Sequence, residues 1–270
     1  MKKLSFLAVV FAAITFASCG GNKGAQTTPE EDEAQKSFEQ EQIEAFIKQN
    51  FDSLATQISS LKQLPLAQKD GSVVLTEAEK QVKPTYLLDP ALSETVMTLS
   101  EEYRVLSAMQ VDREIALLYD MPVDEYDKAI TKLAADINDP SFKVLDQQTD
   151  IHEGSQALYA AMDSNGRINF FWQIVSAALV EQLYIISQNS DKFLASFNDE
   201  TASNVTMRII LIQDAINRLT KYDPELVPVA EVLDPLTVIN ASTVDELKAQ
   251  IAEASDMIRE ARMALIQLEY

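Results

Sequence analysis

Forty-two acidic residues, one histidine and one cysteine set the chemistry open to this chain of 270 residues. A metal centre needs several convergent ligands, and a nucleophile needs a base beside it. The only histidine, His152, must serve any such pairing alone. A ferritin-type di-iron site uses two Glu-x-x-His units, whereas the residue three before His152 is Thr149. His152 stands between Asp150 and Glu153 at a helix start, which predicts capping and solvent exposure. Asp163-Ser164-Asn165-Gly166-Arg167-Ile168 matches positions three to eight of a calcium loop. Positions one and twelve would be Ala161 and Trp172, neither of which offers a side-chain oxygen, so the segment reads as a helix end and turn. The only cysteine, Cys19, forms no disulfide within the chain. No Gly-x-Ser-x-Gly elbow or phosphate-binding glycine loop occurs.

Glu181 is the polar residue of most interest. From Phe170 to Ile186, 13 of 17 residues are apolar, broken by Gln173, Ser176, Glu181 and Gln182. An ionised carboxylate in such a helix is costly unless it is paired or hydrogen-bonded. One reading makes Glu181 a ligand or cation contact in a pocket with Trp172 and Tyr184. The other turns it to the surface or pairs it with an arginine such as Arg208 or Arg113. The stretch is short for a membrane span and carries Glu181 and Gln182 within it, so a central helix buried on most sides is expected. With 42 acidic residues some carboxylate pair will lie at a hydrolase spacing, and nothing singles one out.

The elements that must position these residues read as helices. Thr28-Pro29-Glu30-Glu31 is a capping box, and Ile47, Phe51, Leu54, Ile58 and Leu61 form the stripe of the helix it opens. Asp89-Pro90 opens another, with a seam of Val96, Leu99, Tyr103 and Leu106, running to about Tyr119. A third follows Asp120-Met121-Pro122 and closes at Asp139-Pro140. Residues 141–148 are the best boundary if the body has two lobes. Thr149 and Asp150 cap the next helix, which ends at Asn165-Gly166. Asn198 or Asp199 caps a helix that stops before Pro224. Thr243-Val244-Asp245-Glu246 opens the last, whose seam runs unbroken through Leu247, Ile251, Ala254, Ile258, Ala261, Leu265 and Leu268.

Only Gly71, Gly154 and Gly166 serve the body, too few for the turns of an α/β enzyme, and no stretch alternates with a two-residue period. The expectation is an all-α bundle of roughly seven or eight helices with coiled-coil-like seams. The final seam is the one that could instead pair with another chain. Val73 to Leu88 leaves a short helix and irregular wrapping equally open.

Lys2 and Lys3 precede an apolar run from Leu4 to Phe16 that ends in Phe16-Ala17-Ser18-Cys19. This leader resembles that of a bacterial lipoprotein precursor, with Phe16 where the family carries an aliphatic residue. The resemblance implies cleavage before Cys19, diacylation of its sulfur and acylation of its new amine. Gly20 in place of Asp implies sorting to the outer membrane. Acyl chains, at about 0.8 kcal/mol per buried methylene, hold such a protein durably at a bilayer. Residues 1–18 are then a signal peptide, residues 19–28 a flexible tether reaching roughly 15 Å, and residues 29–270 the helical body.

Loss of Lys2 and Lys3 leaves 20 basic residues against 42 acidic ones, a net charge of −22. Such a body is repelled by nucleic acid and by anionic lipid, so lipid at Cys19 must hold it at the membrane. Asp52-Ser53-Leu54 also resembles a bacterial O-glycosylation sequon, which would place a sugar on Ser53. The sequence is read as that of a cell-envelope protein without cofactor that binds or assembles a protein partner. A ligand- or cation-binding bundle is the first alternative, and a carboxylate hydrolase the second.

Overall fold

Several helix starts in this chain are set by local side-chain chemistry. In the computed structural model Thr76 and Glu79, and again Thr98 and Glu101, form reciprocal capping boxes in which each side chain accepts the other's backbone N–H. Asn198 and Thr243 accept the backbone N–H groups of Thr201 and Glu246 in the same way. The structure describes residues 74–147 and 155–267, together with positions 41 and 45. The leader, the tether, all of the helix expected from Pro29 but positions 41 and 45, and Cys19, Ser53 and His152 lie outside the described residues.

Ten α-helices and no strand occur among the described residues. They are α1 Glu77–Gln81, α2 Leu99–Leu118, α3 Asp124–Ile137, α4 Ser155–Ser164, α5 Ile168–Gln188, α6 Ser190–Phe193, α7 Asp199–Leu219, α8 Val227–Leu233, α9 Val244–Glu253 and α10 Ser255–Arg262. Eight of them have seven residues or more, so the all-α bundle read from the sequence is the fold. Short 3-10 turns cover Pro90–Glu94, Pro140–Gln147, Pro224–Leu226 and Asp234–Val238, and a π-turn covers Met263–Gln267.

The centre of the bundle is α5, with 15 of its 21 residues buried. It packs against α2, α4, α7, α8, α9 and α10. Its closest neighbour is α2, where Ser107 Oγ donates to the Ile174 carbonyl at 2.9 Å. Such an approach needs small side chains, and Ser107, Ala108, Ala177 and Ala178 are all fully buried. α4 ends as expected: Gly166 adopts φ +68°, the Arg167 N–H bonds the Met162 carbonyl and the Gly166 N–H bonds that of Asp163. The segment 140–147 packs on α4, and Asn165 Nδ2 donates to the buried Ser141 hydroxyl at 3.0 Å.

Two helices are divided where continuous ones were expected. Asp89-Pro90 opens only a 3-10 turn, and α2 restarts at Thr98 because Glu101 completes a second capping box there. The last seam breaks for one residue at Ala254 and widens into the π-turn after Arg262. Its apolar residues stay in register on one side: Leu247, Ile251 and Ile258 are fully buried, and α9 and α10 both lie on α5. Among the described residues the stripe is thus covered within the chain, and Leu268 lies outside them.

Removing the box at Thr98 should unsettle the junction between turn and helix. Thr98→Ala is expected to lower stability by about 1 kcal/mol in urea unfolding. Met97→Ala, at a side chain 90% exposed, should change it by less than about 0.5 kcal/mol. Equal effects at the two positions would refute the role of the cap.

Candidate functional site: a buried carboxylate–guanidinium centre

Helical spacing places Glu181 and Tyr184 on one face of α5, three residues apart. Arg262, the last residue of α10, comes over that face. Its Nε donates to Glu181 Oε2 and its Nη2 to Oε1, both at 2.8 Å, a bidentate pair with both side chains almost wholly out of water. The guanidinium lies 4.1 Å from the centre of the Tyr184 ring, in cation–π geometry. Arg262 Nη2 also donates to the Tyr86 carbonyl at 3.0 Å.

A second carboxylate joins from α2. Asp112 is fully buried, and its Oδ2 lies 3.9 Å from Arg262 Nη2 and accepts the Leu88 N–H at 2.6 Å. Burial, then the charge of Glu181, pushes its acid well above the usual carboxylate range; Arg262 and the Leu88 N–H offset this only in part. Its Oδ1 has no donor facing it. Two carboxylates are both acceptors, so Asp112 meets Glu181 through a hydrogen bond only with a proton between them. Tyr126 of α3 closes the site from a fourth helix, its hydroxyl donating to the Leu88 carbonyl at 2.8 Å. Burial raises the Tyr126 and Tyr86 phenols, so both stay protonated through the physiological range.

The structure therefore unites two of the three residues read as a pocket. Glu181 and Tyr184 share Arg262, while Trp172 sits nine residues earlier on α5, about 14 Å along its axis. There Trp172 is fully buried, edge-on to Tyr159 and Phe171 at ring separations of 6.4 and 5.4 Å. The partner of Glu181 is neither Arg208, which is itself fully buried, nor Arg113, which pairs with Asp127 at 2.5 Å. Asp112 and Arg262 were not singled out in the sequence. Arg262 lies between the seam residues Ala261 and Leu265, and that position was the available signal.

A second buried arginine grips the same end of the chain. Arg104 Nε donates to the Leu265 carbonyl in the π-turn at 2.7 Å, and Nη1 to Gln173 Oε1 at 2.9 Å. Gln173 passes the contact on, its Nε2 donating to the Glu225 carbonyl at 3.1 Å. Among the described residues no group of three or more His, Cys, Asp or Glu is placed to hold a metal ion. The chemistry this centre offers is proton retention and charge pairing between helices.

Comparison with protein-family models, curated proteins and solved structures finds no match for the chain.

Truncating one member of the pair strands the other. Glu181→Ala leaves the Arg262 charge buried without its partner and should lower stability by about 3–5 kcal/mol. Replacing both, as Glu181→Leu with Arg262→Met, should recover most of that loss. Urea unfolding of the single and double variants checks both figures. A double variant no better than Glu181→Ala would mean that the pair is not the unit that matters.

Proposed function

We propose that the chain is a lipid-anchored protein of the cell envelope, held at the outer membrane through Cys19, and that its acidic helical body binds a protein partner. Phe16-Ala17-Ser18-Cys19 and the lack of any other cysteine support the anchor. The body's net negative charge requires such an anchor, because it gives anionic lipid headgroups nothing to attract.

One observation carries the binding role: the buried charges of the central site are engaged within the body, while α7 leaves apolar side chains outside. Glu181 and Tyr184 are engaged by Arg262, and Trp172 packs in the core. On α7, by contrast, Met207 is 43% and Ile210 38% exposed, with Leu211 half-buried beside them. Met207 and Ile210, three residues apart, share one outward strip of a helix 21 residues long, while Leu211 beside them packs against the core. An exposed apolar strip on an otherwise acidic body suits a partner helix or strand better than a small molecule.

Two measurements test the reading separately. Cys19→Ser should move the protein from the membrane pellet to the soluble fraction, and an unmodified thiol in the native product would refute the anchor. A photoreactive residue at Met207 or Ile210 of the full chain should crosslink one envelope protein, whereas one at the exposed Glu125 should not. Adducts no different from those at Glu125 would refute the α7 face.

A further inference from the structure

The irregular segment 82–89 crosses the buried carboxylate centre and is tied to it by side chains. The Leu88 N–H donates to Asp112 Oδ2, the Leu88 carbonyl accepts from the Tyr126 hydroxyl, and the Tyr86 carbonyl accepts from Arg262 Nη2. At the segment's start Lys83 Nζ donates to the Tyr119 carbonyl. Three of these four ties run to the members of one charge cluster or to the phenol against it. The hold on this strap therefore depends on the charge state of the cluster.

That state is constrained by the count of charges. Around Asp112 stand Glu181 and Tyr184 from α5, Arg262 from α10, Tyr126 from α3, Tyr86 and Asp89 from the strap, and Tyr119 just past α2. Arg262 gives both of its short contacts to Glu181 and stays 3.9 Å from Asp112. Once ionised, Asp112 would add a second buried anion against a single guanidinium that is already engaged, with Oδ1 facing no donor. Water is the remedy, and the strap is the cover with the fewest ties of its own to break, because the other sides are helices.

We propose that residues 82–89 form a pH-gated strap, sealed while Asp112 carries a proton toward Glu181 and released when that proton is lost. An opened strap exposes Asp112 to water, where an aspartate ionises near pH 3.9. The sealed form holds the proton to much higher pH, since burial and Glu181 oppose its loss. Between those limits the open form binds one proton fewer, so each pH unit favours opening about tenfold. The strap is tightest in acid and loosens as pH rises, opposite in sign to a carboxylate stabilised by a salt bridge. Release would uncover Tyr86 and the Arg262 end of α10, so the surface of the body would change with the pH of its compartment.

Hydrogen exchange of the Leu88 amide in the full chain, corrected for the intrinsic rate and measured while reclosing outruns exchange, reads this directly. From pH 5 to pH 8 the opening constant should rise about tenfold per unit until Asp112 ionises in the sealed form. Asp112→Asn keeps an acceptor for the Leu88 N–H and has no proton to lose, so its opening constant should be flat. Glu181→Gln frees Arg262 to pair with an ionised Asp112 and should flatten the profile as well. A flat profile in the unaltered protein would overturn the proposal. So would an undiminished slope in whichever variant folds.

Discussion

Taking one guanidinium and two carboxylates out of water fixes more of this body than any single apolar contact. Arg262 reaches α5 from the end of α10, 81 residues further along the chain, and satisfies Glu181 with two hydrogen bonds of equal length. The apolar seam of α9 and α10 does not choose its own register, because shifting it by one turn still presents small and branched side chains to α5. A bidentate pair has one geometry, and one turn of displacement would leave both charges buried and separate. Hydrophobic burial thus drives α10 onto α5, while the pair determines where along α5 it comes to rest. Asp112 extends the same constraint to α2, and through Leu88 to the irregular strap.

The π-turn after Arg262 follows from this anchoring. Arg262 is held by Glu181 on one side, and three residues later the Leu265 carbonyl is held by Arg104 of α2. A helix fixed at two points by different neighbours must wind to meet both, and the wider π turn supplies the adjustment. Arg104 also gives that carbonyl a strong donor in a turn whose own bonds are displaced from the α pattern. The stretch 262–265 is therefore held through two buried arginines, both in contact with the central layer formed by α2 and α5.

Elements whose signals are local were legible in the sequence. Thr243, Asn198, Gly166 and the prolines mark helix ends through backbone chemistry that needs no knowledge of the fold. The 13 apolar residues between Phe170 and Ile186 announced a helix buried all round, as α5 is. The break before α2 was hidden because Val96 and Leu99 continue an apolar spacing across it, and only the Thr98–Glu101 box reveals the restart. The centre itself was half legible. Glu181 stood out because it interrupts apolar residues, whereas Asp112 directly precedes the half-buried Arg113 and the exposed Glu114 and so reads in the sequence as part of a solvated polar run. The partner of Glu181 is a long-range choice among several arginines, and helical periodicity holds no information about it.

Length and composition alone would let α5 cross a membrane: it has 21 residues, with mean hydropathy 1.4 over its most apolar window. What distinguishes it is how its polar residues are accommodated. Of that window 89% is buried within the body, and each polar interruption with a described partner finds it on another part of this chain. Glu181 meets Arg262, and Gln173 meets Arg104 and the Glu225 carbonyl. A bilayer offers a carboxylate no guanidinium, and a glutamine in lipid has no carbonyl to bond. These partners come from α2, α10 and the turn at 224–226, so the polar atoms of α5 demand helices on several sides at once. The residues that would be costly in lipid are those that tie the bundle around it.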